Sequence, residues 1–510
     1  MVSQAFDEVT FIKPRGERNE PLGLSRNPSQ RFAALTLGLT KFTMQHHPMH
    51  RRDWFKLGGL SLGALAAGVS PNLAQLLANE SQIDPDFSVI LFWANGGPSH
   101  LETFDLKPDA PENIRGLFRP IRTNVPGIDI CEHLPRLSRM ADKFTLLRSL
   151  HHERGEHSGG SHRFLSGHSS IAANLQNGEY PELGCVVAKH LDGRQRTGVP
   201  AFVADTQFYG AGPAFLGRGY APFMVSPNNP ISASGNNTYD PIPIYGSDDL
   251  SQGVQLSADS TLRLQQRANL LHDLDSFRSA AMRSGTLDTW DRHHRQAVEI
   301  LASSRTRDAF DLRNEPRHLR ERYGDHLWGK SLLTCRRLVE AGVRFVQCQA
   351  TYPRLPAEIA RTTNWDDHSV NAHIFDAYRI KLPVLDQAMS ALIDDLYARG
   401  LDQRVLFIFC GEFGRTPTVR NQDPTGRPGR DHWPRAMSVF LSGGGLRMGQ
   451  VIGSTNSRGE HPVNRPLDSN SMLATIYHRF GINPHGSIPD ATGRPIPLLP
   501  RGEVIRELVA

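Results

Sequence analysis

The sequence predicts an α/β protein, a doubly wound, mostly parallel sheet with helices on both faces. Three observations carry that expectation. Short, continuous apolar runs with the length of buried strands recur along the chain, among them Val89–Trp93 and Val405–Phe409. Between them lie segments with Leu and Ala at helical spacing, and such alternation is the mark of parallel strands joined by crossover helices. The composition is ordinary for a globular enzyme, with 510 residues, 39% hydrophobic and 21% charged, which is enough apolar material for a large core.

Taken in order, the first strand is Phe87–Trp93, and Asn95-Gly96-Gly97-Pro98 ends it with a turn signal. A helical pattern follows at Leu134–Ala141, then a strand at Phe144–Leu147. Residues 205–258 are rich in Gly, Pro, Asn, Ser and Tyr without a clear period, as expected of an insertion around a functional site. Helices are expected over Leu262–Ser304 and Leu327–Ala341, the latter feeding a strand at Arg344–Cys348. A long helix over Asn371–Arg399 is expected to bend near Pro383, because proline lacks the N–H its turn needs. Strands at Val405–Phe409 and Met437–Leu441 and a helix at Ser471–Phe480 complete the pattern. Residues 81–510 are expected to form one domain.

The first 80 residues are set apart as an extension. Arg51-Arg52-Asp53-Trp54-Phe55-Lys56 precedes a Gly/Ala/Leu run from Leu57 to Val69, and the pattern resembles a twin-arginine export signal. That run is too short and too Gly-rich for a stable membrane span. The expected destination is the periplasm or the cell exterior, with Met44 or Met49 as alternative starts. A net charge of +5 with scattered Lys and Arg gives no nucleic-acid footprint. Five widely spaced cysteines without a CxxC give neither a zinc ribbon nor a disulfide framework.

Four strand ends carry polar clusters, which is where ligands collect in such sheets. They are Gly96–Asp105, His151–His162, Asn364–His368 with His373 beyond, and the stretch Cys410–Pro434. Histidines and carboxylates converging from several strand ends can hold a metal, and metal ions clamp the oxygens of phosphate or sulfate esters. Each cluster also has a simpler reading. Asp366-Asp367 would cap the following helix, and Asp105-Leu106-Lys107-Pro108 would close a turn. His368 and His373 are five apart, so at most one is expected as a ligand. His152–His157 is one residue too long for a zinc-protease helix and contains a glycine. Gly167-His168-Ser169-Ser170-Ile171 lacks the last glycine of a nucleophile elbow.

Together, Gly96-Gly97-Pro98-Ser99, Trp365-Asp366-x-His368, Gly411-Glu412-Phe413-Gly414-Arg415-Thr416-Pro417, Gly429–Pro434 and Leu441–Leu446 resemble domain-of-unknown-function family 1501. The resemblance implies a fold similar to the alkaline phosphatase and sulfatase superfamily, with metal ligands at strand ends. By that resemblance Asp366, His368, Glu412 and His432 would bind divalent metal, with Asp105 and Asp431 as further candidates. The ion would be zinc, calcium, magnesium or manganese. Phe413 stands where the superfamily has a histidine, and no cysteine stands at the modified position of sulfatases. Ser158 or a water would attack, His157 would act as acid or base, and Arg415 and Arg430 would grip anionic oxygens. The expected activity is metal-dependent hydrolysis of a small anionic ester or of a sulfated or phosphorylated polymer. The alternative is an exported binding or assembly protein on a degenerate hydrolase fold.

Overall fold

A computed structural model describes residues 86–225 and 304–509, apart from 171, 173, 174, 176, 196, 197, 207, 352–354, 357, 422, 423 and 425. The twin-arginine segment, both alternative starts and the helices expected over 262–303 lie outside the described residues, as does most of the 205–258 insertion.

Among the described residues the central sheet has nine strands. In chain order they are β1 (Ser88–Trp93), β2 (Thr145–His151), β3 (Phe202–Ala204), β4 (Phe223–Met224), β5 (Phe345–Gln349), β6 (Val405–Cys410), β7 (Met437–Gly443), β8 (Gln450–Ile452) and β9 (Leu467–Asp468). Their order across the sheet is β8-β2-β7-β6-β1-β5-β3-β4, with β9 also paired to β2. β1 lies parallel to both β5 and β6, placing Ile90 between Val346 and Phe407. β7 runs antiparallel to β6 and β2, and among the described residues the sheet's other strand pairs are parallel. The edge strand β4 is drawn from the expected insertion and pairs parallel with β3.

Period-two alternation along β1 sends its side chains to two separate cores. Ile90 and Phe92 pack with Trp328 and Leu332 of α3 (Leu327–Ala341) and with Leu385 and Leu392 of α4 (Ile374–Ala398). Val89, Leu91 and Trp93 pack with Phe164 of α1 (His157–Ser166), Val186 of α2 (Leu183–His190) and Leu473 of α5 (Ser469–Arg479). All six β1 residues are buried, so the strand reads as one unbroken apolar run. The fold is therefore doubly wound, as the sequence predicts.

Local chemistry explains the differences from expectation. Leu134–Ala141 is not an α-helix but a 3-10 segment at Leu137–Lys143, broken at Met140. The Asp386 carboxylate of α4 accepts from the N–H groups of Arg136 and Leu137, each at 2.8 Å, and so fixes the start of that turn. α4 continues through Pro383 as one 25-residue helix. It is capped by His373, whose Nδ1 accepts from Asp376 N–H at 3.2 Å, so Asp366 and Asp367 do not serve as its cap.

Candidate metal centre

β1, β2, β5 and β6 all end on the same edge of the sheet. Past those ends the chain gathers His157, Asp366, Glu412 and His432. His157 opens α1, six residues past β2. Gly160 in that helix lets it approach the loop after β6: a Cβ there would lie 3.1 Å from the Phe413 ring and 3.3 Å from Glu412 Cβ. Glu412 lies two residues past the end of β6. His432 lies on a two-residue strand, His432–Trp433, paired antiparallel with Gly414–Arg415, so His432 stands opposite Arg415.

Asp366 is the hub. It is almost wholly buried and receives three imidazoles: His368 Nε2 at 2.8 Å and His432 Nε2 at 2.9 Å on Oδ1, and His157 Nε2 at 3.3 Å on Oδ2. Arg415 Nη2 donates to Oδ1 at 2.8 Å and Asn371 Nδ2 to Oδ2 at 2.9 Å. One ligand atom each from His157, Asp366 and His432 lie within 4.8 Å of one another.

The opposite ring nitrogens are equally ordered. His157 Nδ1 faces Glu412 Oε1 at 2.7 Å, His368 Nδ1 faces Asp431 Oδ1 at 3.1 Å, and His432 Nδ1 faces the Gly155 carbonyl at 2.7 Å. A carbonyl and carboxylates can only accept, so each Nδ1 carries the hydrogen. In the neutral ring the Nε2 lone pair then points at the Asp366 carboxylate. Lone pair against carboxylate oxygen is repulsive unless a proton or a metal cation stands between them. An acceptor behind each imidazole is also the arrangement that orients metal-ligating histidines.

The electrostatics follow. Burial alone would raise the Asp366 carboxyl, but Arg415 and the three histidines outweigh it and hold it well below the usual range. Burial would lower His157, yet hydrogen bonds to Asp366 and Glu412 hold it up at about 9. At His432 burial wins, and the ring is brought down to about 4. Glu412 is fully buried; its Oε1 also accepts from Gly96 N–H at 2.8 Å, and its Oε2 has no hydrogen-bond partner. The Nε2 atoms of His157 and His432 and the Asp366 carboxylate are a donor set suited to a divalent ion.

Other expected site residues are placed differently. Arg415 and Arg430 are fully buried and turned inward. Arg415 donates to the carbonyls of Gly96, Gly97, Trp365 and Arg430 besides Asp366. Arg430 grips Glu102, with Nη2–Oε1 at 2.6 Å, and the carbonyls of Ile114, Thr416 and Pro417. Guanidinium donors spent on these acceptors are not presented to a substrate anion. Asp105 is drawn to Lys107 at 2.9 Å, Arg148 at 3.7 Å and the Thr455 hydroxyl, so it holds its own turn. Ser158 Oγ accepts from Leu175 N–H at 3.0 Å and ties down the segment after α1. Asp431 stands behind His368 as its hydrogen-bond partner. Asn371 and the Gly96 N–H are contributors that sequence reasoning missed: Asn371 carries no motif, and in the sequence Gly96 reads only as part of a turn. Gly96 has φ +101°, and a Cβ there would fall 2.4 Å from Asp366 N, so only glycine lets these turns meet.

A family model described as "Protein of unknown function (DUF1501)" matches residues 86–509. No curated protein matches the chain. Among solved structures it is similar to the PsFucS1 sulfatase from Pseudoalteromonas sp., at 11% identity over 81% of this chain and 72% of that one, with a TM-score of 0.37. It is also similar to the lipoteichoic acid synthase LtaP from Listeria monocytogenes, at 9% identity over 83% of this chain and 76% of that one, with a TM-score of 0.31.

Proposed function

The chain belongs to the DUF1501 family of proteins of unknown function, and we propose that it is an exported, metal-dependent hydrolase of phosphate or sulfate esters. One observation carries the reading. Three imidazoles, each fixed through Nδ1 by an acceptor, turn Nε2 toward one buried, ionised carboxylate. His157, Asp366 and His432 would hold the ion, with His368 beside them. A bound divalent ion would supply Lewis-acid polarisation and charge neutralisation at an ester oxygen. Among zinc, calcium, magnesium and manganese, imidazole donors favour zinc.

The chain's own groups do the rest. Arg415 keeps Asp366 ionised and fixes its rotamer. Glu412 and Asp431 set the tautomers of His157 and His368. Arg420, 60% exposed and 3.8 Å from Asp431, is a guanidinium open to an incoming anion, unlike Arg415 and Arg430. The inward turn of those two arginines favours a second reading, a non-catalytic binding or assembly protein on the same fold.

One assay decides. The purified full-length chain is analysed for bound metal, then tested on generic aryl phosphate and aryl sulfate esters. The expected result is a stoichiometric transition metal and metal-dependent turnover. Metal-free protein that stays inactive with zinc, calcium, magnesium and manganese would sink the hydrolase. Metal-loaded protein without turnover would leave the binding reading. Export is tested separately: changing Arg51 and Arg52 to lysine should retain the protein inside the cell.

A further inference from the structure

We propose that the buried ion pair between Lys381 and Asp367 is a positioning device for Asp366, setting the carboxylate's aim without touching the metal centre. This rests on the metal reading above. Asp366 lies 17 residues past the end of β5, in a stretch that forms no helix or strand among the described residues, between the two sides of the isolated bridge Ala360–Ala372. Nothing in regular secondary structure fixes its direction, so its aim must come from tertiary anchors.

Lys381 supplies one from beneath. It projects from the second turn of α4 and is fully buried. Its ammonium donates to the Asn364 carbonyl at 2.7 Å and to Asp367 Oδ1 and Oδ2 at 2.9 and 3.1 Å. It therefore holds the chain two residues before Asp366 and one residue after it. The same ammonium lies 5.2 Å from the Trp365 ring centroid and 5.9 Å from that of Tyr378, within cation–π range. From the opposite side Arg415 takes the Trp365 carbonyl at 3.0 Å, and Arg430 N–H takes the Asp367 carbonyl at 3.2 Å. Asn95 accepts from Trp365 N–H at 2.8 Å. The Asn364–Asp367 turn is thus clamped between α4 and the loops after β1 and β6.

Stability gives no adequate reason for such a pair. Replacing a buried ion pair with apolar side chains of similar volume is often neutral or stabilising, whereas removing one partner alone is costly. What apolar side chains would not reproduce is the directional hold on Asn364 and Asp367.

The test compares Lys381→Met with the double variant Lys381→Met/Asp367→Leu in the full-length chain. Zinc affinity is measured by competition with a chromophoric chelator, and the melting temperature is measured in chelator. The single variant should lose both stability and affinity. The double variant should recover the melting temperature yet bind zinc about 10- to 100-fold more weakly, the usual consequence of losing a group that orients a ligand. A double variant with wild-type zinc affinity overturns the proposal. If the wild type binds none of zinc, calcium, magnesium and manganese, the metal reading fails on its own, and histidine ring NMR of the metal-free proteins decides the positioning role. Displaced His368 and His432 ring signals in the double variant would support it, and unchanged signals would overturn it.

Discussion

Arg415→Met offers the sharpest perturbation of the centre. The guanidinium is fully buried and donates to four carbonyls and to Asp366 Oδ1 at 2.8 Å. The methionine keeps much of the volume but leaves a buried carboxylate without its fixed cation. Breaking a buried pair in this way costs about 3–5 kcal/mol. An unfolding entropy of about 2.1 cal/mol/K per residue over roughly 420 residues gives about 0.9 kcal/mol/K, so the melting temperature should fall by about 3–6 °C. The measurement is a thermal melt at pH 7 with chelator present. Acid adds a second readout. The folded-state pKa of Asp366 is depressed, so its stabilisation is present above the ordinary carboxylate range and lost as pH falls through the depressed value. Without Arg415 the depression shrinks, and the loss should begin at higher pH. Saturating zinc should narrow the deficit, because an ion can compensate the same carboxylate. A fall of less than about 1 °C in chelator, well under the buried-pair cost, would refute the reasoning.

Three further expectations accompany it. His432→Ala should lower zinc occupancy measured by elemental analysis, and unchanged occupancy would remove His432 from the centre. Asp205→Asn should raise the melting temperature at pH 8, and by only about a third as much at pH 5. Burial pushes the Asp205 carboxyl up to about 7, against the hydrogen bond from Gln349 N–H. The folded protein then keeps a proton that the unfolded chain releases near pH 4, and stability falls by about 4 kcal/mol as pH rises across that window. An equal effect at both pH values would contradict this. Gly96→Ala should cost at least about 2 kcal/mol and weaken zinc binding, because φ is +101° and the new Cβ would meet Asp366 N at 2.4 Å. Wild-type stability and affinity in the purified variant would show that the two turns can separate freely.

The sheet was legible because its central strands are buried on both faces. β1 and β6 are unbroken apolar runs, a pattern that survives without any knowledge of neighbours. α3 matches its expected bounds, Leu327–Ala341, because local signals set both ends: His326 caps it, and Gly342 leaves it with φ +108°. Leu134–Ala141 carries a helical pattern, but the Asp386 carboxylate, some 250 residues away, fixes a tighter turn there. The same distance separates what could and could not be read at the centre. Clusters at strand ends pointed to the right edge of the sheet. Charge alone did not tell that Arg415 and Arg430 face inward, because whether a guanidinium meets a carbonyl or solvent depends on partners up to 328 residues away. Lys381 and Asp367 lie 14 residues apart and show no pattern at all in the sequence.

The short ladder that sets His432 opposite Arg415 has an evolutionary consequence. The chain between those residues leaves and returns through a second bridge, Arg420 to Gly429, and Arg430 then bolts the return to Glu102. Arg427 and Pro428 still bond the backbone of Val370 and Ile374, so it is changes ahead of Arg427, at the tip, that this bridge holds apart from the imidazole. Relatives could therefore diversify the tip of this excursion, and with it whatever it touches, while inheriting the centre unchanged. Transplanting tips between relatives is accordingly a low-risk route to altered selectivity.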